Sequence, residues 1–119
     1  MKNFEELSES VLNWSHERNI IKGTSYKDQM LKAVAEMGEL ADAVNKHDQL
    51  KIEDGIGDVL VCLINLAEQR DTTLKLCLQS AYNEIKDRKG IIHNGVFVKE
   101  SDPLYPSIMA SSRSERVKD

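Results

Sequence analysis

Apolar residues recur at steps of three and four along most of this chain, in runs separated by short polar links. Phe4, Leu7, Val11 and Trp14 mark a first amphipathic helix over about residues 3–19. Gly23, Thr24 and Ser25 interrupt it. Ser25 is placed as an N-cap, and Asp28 adds negative charge to the first turn that follows. A second helix then spans about residues 26–46, with Met30, Ala33, Val34, Met37, Leu40, Ala41 and Val44 on one broad apolar face. Gln29, Lys32, Glu36 and Glu39 form a polar strip beside that face. His47 and Asp48 make the link, and Asp48 can cap a third helix over about residues 49–69. From Val59 to Ala67 only Asn65 is polar, so this stretch belongs at the centre of a bundle. Asp71 can cap a fourth helix over about residues 72–89, with Leu74, Leu78, Ala81 and Ile85 on one face and Gly90 as its stop.

The period then changes. Ile91, Ile92 and His93 face Val96, Phe97 and Val98 across Asn94-Gly95, a dipeptide suited to a type I′ turn, and a small hairpin is expected. From Ser101 the chain is polar and Ser/Arg-rich, with Pro103 and Pro106, and reads as a flexible tail. The expected fold is therefore all-α: a four-helix bundle with a small C-terminal hairpin, in which residues 1–100 form the domain and 101–119 the tail. Four such helices cannot cover all of this apolar surface alone, so a homodimer or homotetramer is expected.

Composition narrows the function. The 119 residues carry 16 Lys and Arg against 20 Asp and Glu, a net charge of -4, which speaks against a nucleic-acid-binding surface. Neither Cys62 nor Cys77 belongs to a C-x-x-C pair; both read as packing positions on helices rather than nucleophiles. No segment resembles a signal peptide, and no apolar run reaches membrane-spanning length, so a cytoplasmic location is expected, with no membrane partner.

Four carboxylates stand out. Glu36 and Glu39 lie three residues apart, about 60° around the helix axis, at the border of the apolar face. Asp54 and Asp58 lie four apart, about 40° around the axis, on one strip that Asn65 continues. If the second and third helices form an antiparallel hairpin, the four acids can converge. Unpaired, they would repel one another and be driven toward the protonated state. A hard divalent cation resolves the conflict: Mg²⁺, with Mn²⁺ as a substitute, takes oxygen ligands and keeps open positions for phosphate oxygens. Gly55 and Gly57 beside the aspartates are tolerable if they allow close backbone approach. The chain has no Glu-x-x-His pair for a di-iron site, no P-loop and no G-x-S-x-G elbow.

Ala35-Glu36-Met37-Gly38-Glu39-Leu40, followed by Asp54-Gly55-Ile56-Gly57-Asp58-Val59-Leu60, resembles the MazG family of all-α nucleoside triphosphate pyrophosphohydrolases. Tyr82 to Gly90 resembles that family's basic segment after the last helix. With Asn94 to Glu100 added, the pattern is similar to small MazG-like proteins of bacteriophages, over roughly residues 4 to 100. The resemblance implies hydrolysis of an NTP or dNTP to a monophosphate and pyrophosphate. It matches Glu36, Glu39 and Asp58 to the family's metal-binding acids. Ala35 stands where the family often has a further acid. Gly55 stands where its second motif usually has Glu, and Asp54, one residue earlier, is taken as the replacement ligand. Glu36 or Glu39 would orient or deprotonate the water. Lys32, Asn83, Lys86 and Arg88 would hold phosphates, and Asn13 and Trp14 would meet the base, although the Trp14 ring fits a packing stripe equally well. Two other functions share the pattern: a catalytically silent nucleotide-binding regulator, and a helical adaptor with a solvated acidic face.

Overall fold

The computed structural model describes residues 1–118, with side chains described to residue 111. Six helices and one hairpin follow in order: α1 (Phe4–Glu17), α2 (Ile20–Gly23), α3 (Tyr26–Asn45), α4 (Gln49–Gln69), α5 (Leu74–Ile85), β1 (Gly90–His93), β2 (Val96–Lys99) and α6 (Tyr105–Lys118). The all-helical expectation holds, and α3 and α4 begin and end within a residue of the spans that the periodicity predicts.

Local chemistry sets most boundaries. Asn3 caps α1 by accepting from the Glu6 amide at 2.9 Å. Ser25 and Asp28 form a reciprocal capping box at the start of α3, with bonds of 3.1 and 2.9 Å. Asp48 accepts from the Lys51 amide at the start of α4. Three details differ from the sequence reading. The segment after α1 forms a separate turn of helix, α2, entered through Asn19 in a left-handed conformation. The cap of α5 is Thr73, whose Oγ1 accepts from the Leu76 amide at 3.1 Å, while Asp71 adopts a positive φ of 57° in the link. α5 stops at Ile85, and Gly90 opens β1 instead of ending the helix.

The chain groups into two units, Met1–Leu78 and Gln79–Asp119. In the first, α3 packs along α4, and α1 and α2 pack against α4 as well. The α3–α4 interface is built from small residues. Ala33, Ala43, Cys62, Ile64 and Ala67 are the buried apolar side chains among the described residues. Gly55 is also buried, and a β-carbon there would stand only 3.1–3.3 Å from the Leu40 side chain and Cα. Gly57 meets nothing, so only one of the two glycines serves close approach. The central part of α4 is buried as its composition requires, Asn65 included. The face of α3 is not: Met30, Val34, Met37 and Val44 remain about half exposed.

Side chains tie the ends together. Gln69 at the end of α4 donates from Nε2 to the carbonyls of Ile21 and Thr24 and to Thr24 Oγ1, at 2.9–3.1 Å. His16 of α1 meets Glu68 of α4 at 3.0 Å, and Lys75 pairs with Glu5.

In the second unit β1 and β2 pair antiparallel, Gly90 opposite Lys99 and His93 opposite Val96. Asn94 and Gly95 both have positive φ, 52° and 77°, as a type I′ turn demands. Gly90 is required in its strand, because a β-carbon would run into Val98 O and the Phe97 ring. The residue-100 boundary falls inside this unit. The segment read as a tail carries α6, preceded by a turn in which Asp102 Oδ1 accepts from the Leu104 amide at 2.8 Å. Pro106 sits in its first turn, where a missing N–H costs nothing.

Gly55→Ala is expected to lower stability by about 1–3 kcal/mol, since the added methyl must displace Leu40. Gly57→Ala is expected to raise it by up to about 1 kcal/mol through helix propensity alone. Urea midpoints at constant m-value check both; equal gains at the two positions would contradict the close approach of α3 and α4.

Candidate functional site

The antiparallel packing of α3 and α4 decides which side chains meet. Leu40 lies against Gly55, while Glu36 senses the charge of Asp58 and Cys62 that of Lys32. These pairs descend α3 as they ascend α4. Glu36 is half-buried as a residue, and the pKa of its carboxyl is raised above the ordinary 4.5. Burial is the largest cause, then the charges of Glu39 and Asp58 and a hydrogen-bonding contact with Glu39; the Lys32 ammonium opposes them. Three carboxylates therefore crowd one stretch of the interface, with one cation beside them.

Two clefts open from that cluster. The larger, of about 700 Å³, is walled by Leu7, Val11 and Trp14 of α1 and by Val61 and Cys62 of α4. Lys32, Glu36 and Asp58 line it as well, together with Gln29 and Asn65, both buried. The smaller, of about 310 Å³, is lined by Glu39, Asp42, Lys46, Lys51, Asp54 and Asp58. Asp58 thus faces both clefts. Asp54 stands in the smaller one with Glu39, and is not among the groups that act on Glu36.

Among the described residues, no three Asp, Glu, His or Cys side chains stand in an arrangement that would hold a metal ion. The donor chemistry nonetheless fits a hard cation. Glu36, Glu39 and Asp58 offer only carboxylate oxygens, and the charges of Glu39 and Asp58 add to burial in raising the Glu36 pKa, a cost that a divalent ion would relieve.

The remaining expected residues divide. Trp14 is 46% exposed and lines the larger cleft, so it is not a core residue, and the Arg18 guanidinium stacks 4.5 Å from its ring centre. Asn13 is exposed and lines neither cleft. Asn83 accepts from Gln79 at 3.0 Å, and Arg88 borders a shallow cleft with Lys89, Lys99 and Glu100; these and Lys86 belong to the second unit. Cys62 is buried, with its thiol pushed up by burial, which suits packing; Cys77 is exposed. The sequence reading did not assign Gln29 or Asn65 to a site. The signal was present at Asn65, the one polar residue in an apolar run.

Comparison with known proteins identifies the family. The MazG nucleotide pyrophosphohydrolase domain matches residues 24–97, which include both acidic motifs. A relative in Haemophilus phage HP1 (strain HP1c1), described as an uncharacterized 18.2 kDa protein in the rep-hol intergenic region, is 32% identical over 69 residues. The alignment covers 58% of this chain and 42% of that protein, so the chain spans less than half of its relative's length. No solved structure matches.

A carboxyl with a raised folded-state pKa binds more protons folded than unfolded, so stability falls as pH climbs from 4.5 toward the raised value. In metal-free buffer Glu36→Gln, neutral throughout, escapes that loss. Its Tm is expected to exceed the parent's at neutral pH, with the gap closing below pH 4.5. A gap that persists unchanged in acid would show that charge repulsion at Glu36 is not its cause.

Proposed function

The chain belongs to the MazG nucleotide pyrophosphohydrolase family, and from that premise we propose that it is a Mg²⁺-dependent hydrolase of nucleoside triphosphates. The products would be a (d)NMP and pyrophosphate. The observation that carries this reading is that Glu36 and Asp58 line a cleft large enough for a nucleotide, with the charge of Glu39 acting on Glu36 from beside it.

Glu36, Glu39 and Asp58 would hold the ion, with Asp54 reaching it from the smaller cleft beside Glu39. When bound, Mg²⁺ would neutralise phosphate charge and offer open positions to phosphate oxygens. Glu36 or Glu39 orients the attacking water through a carboxylate oxygen and accepts its proton. Water adds to phosphorus, the α–β anhydride bond breaks, and pyrophosphate leaves. Lys32, on the wall shared with Glu36, places an ammonium where the phosphate charge would lie. Asn83, Lys86 and Arg88 keep the phosphate role given by the resemblance, as a proposal about the second unit. Trp14 supplies an aromatic wall for the base; Asn13, outside both clefts, has no contact that supports the base role the resemblance gave it. Leu31, at 70% exposure, and Val34, at 57%, leave an apolar strip on α3 that a second copy would cover, and we propose a homodimer or homotetramer. No helix among the described residues is long and apolar enough to cross a membrane. The cytoplasm of a cell, or of a phage-infected host, is the proposed setting.

Incubation with Mg²⁺ and each common NTP and dNTP is expected to release monophosphate and pyrophosphate. Glu39→Gln is expected to lose more activity than the ~10–100-fold typical of groups that merely orient a metal ligand. Diphosphate and orthophosphate would show that the wrong bond was assigned. Mg²⁺ is expected to raise the Tm of the parent but not of Glu39→Gln. Stabilisation by nucleotide without turnover would favour a silent regulator, and no response to metal or nucleotide would favour an adaptor.

A further inference from the structure

Asn65 is a polar side chain that the fold buries without matching its carbonyl oxygen. It is 3% exposed, set among Cys62, Ile64 and Ala67 on α4, and its Oδ1 has no hydrogen-bond partner. Natural interiors rarely keep such a group unmatched without a functional reason. The other buried atoms lacking partners among the described residues are Ser8 Oγ, Ser15 Oγ and Gln69 Oε1, and none of their residues lines the larger cleft. Asn65 does, on the same wall as Asp58. The two stand seven positions apart on α4, about 10 Å along the axis, comparable to the reach from the innermost phosphate of a nucleotide to the edge of its base. Trp14, Val61 and Cys62 give the space between them flat and apolar walls. Gln29 is buried nearby, and one N–H of its Nε2 donates to Thr24 Oγ1 at 3.0 Å.

We propose that Asn65 is the specificity-determining residue of the cleft, its side-chain amide hydrogen-bonding the edge of a nucleobase. This rests on the nucleotide reading above and adds the residue that reads the base. A primary amide offers an acceptor beside N–H donors, which complements a base edge where an N–H adjoins a carbonyl or ring nitrogen. The base supplies the donor that Oδ1 lacks in the free protein. Phosphate chemistry at Glu36 and Asp58 would proceed with any base; preference among bases arises at Asn65.

The test uses the full chain as parent, Asn65→Leu and the near-isosteric Asn65→Asp. The four deoxynucleoside monophosphates are titrated while the side-chain amide resonance of Asn65, identified by its absence in both variants, is followed by ¹⁵N–¹H NMR. The preferred nucleotide is expected to displace that resonance and to bind the leucine variant roughly tenfold or more weakly. With Mg²⁺ and the four dNTPs, the ratio of kcat/KM between best and worst base is expected to shrink at least tenfold in Asn65→Leu. Asn65→Asp, which keeps the acceptors and loses the donors, should shift preference toward bases with an amino group at that edge. An unmoved resonance at saturating nucleotide, or base ratios equal to the parent's in folded Asn65→Asp, would overturn the assignment. Hydrolysis with unchanged base ratios would remove Asn65 and leave the hydrolase reading standing. A displaced resonance without hydrolysis of any dNTP would do the reverse.

Discussion

The closeness of α3 and α4 is the constraint on which the rest of the first unit depends. It rests on the absence of side-chain volume: Gly55 under Leu40, and alanines at 33, 43 and 67 in the core. Small residues bury little apolar area each, so the stability they return is modest. What they secure is position. With the axes held close and antiparallel, residues on the flanking strips have no freedom to avoid one another, and Glu36 comes under the influence of Glu39 and Asp58 whether or not that is favourable.

It is unfavourable in the isolated chain. Partial burial and two like charges raise the Glu36 pKa, and Lys32 offsets them only in part. A bundle selected for stability alone would place such acids on the solvated face of α3. Strain of this kind concentrates where chemistry needs it. The same reasoning applies along α4, where an apolar run that could have been uniform contains a buried asparagine with an unmatched carbonyl. Both local costs border one cleft, and in the proposed function a nucleotide bound with a divalent ion would relieve both, through charge at one end and hydrogen bonding at the other.

The cleft exists because α1 and α2 do not close over α3 and α4 completely. Gln69 ties the Ile21–Thr24 segment to the end of α4, and the His16–Glu68 pair ties α1 to it, so one end is pinned while the walls near Trp14 stay open. The apolar residues left exposed on α1 and α3 therefore have two different meanings. Leu7 and Trp14 line the cleft, whereas Leu31 and Val34 lie outside it and stay exposed.

The helices α1, α3, α4 and α5, the N-cap at Ser25, the Asn94-Gly95 turn and the acidic motifs were all readable in the sequence, because each depends on residues within a few turns of each other. The motifs also pointed to the family. Tertiary structure decided what depends on distances across the chain. It separated Gly55, which meets Leu40, from Gly57, which meets nothing, though both look alike in the sequence. It set Asp54 beside Glu39 in a second cleft and left Asn13 outside both. It turned Trp14 from a stripe residue into a wall of the larger cleft, and it formed α6 from Tyr105 where composition promised only a tail. Periodicity reports which face a side chain takes on its own helix; only the packing of the other helices determines whether that face meets a neighbour, a cavity or solvent.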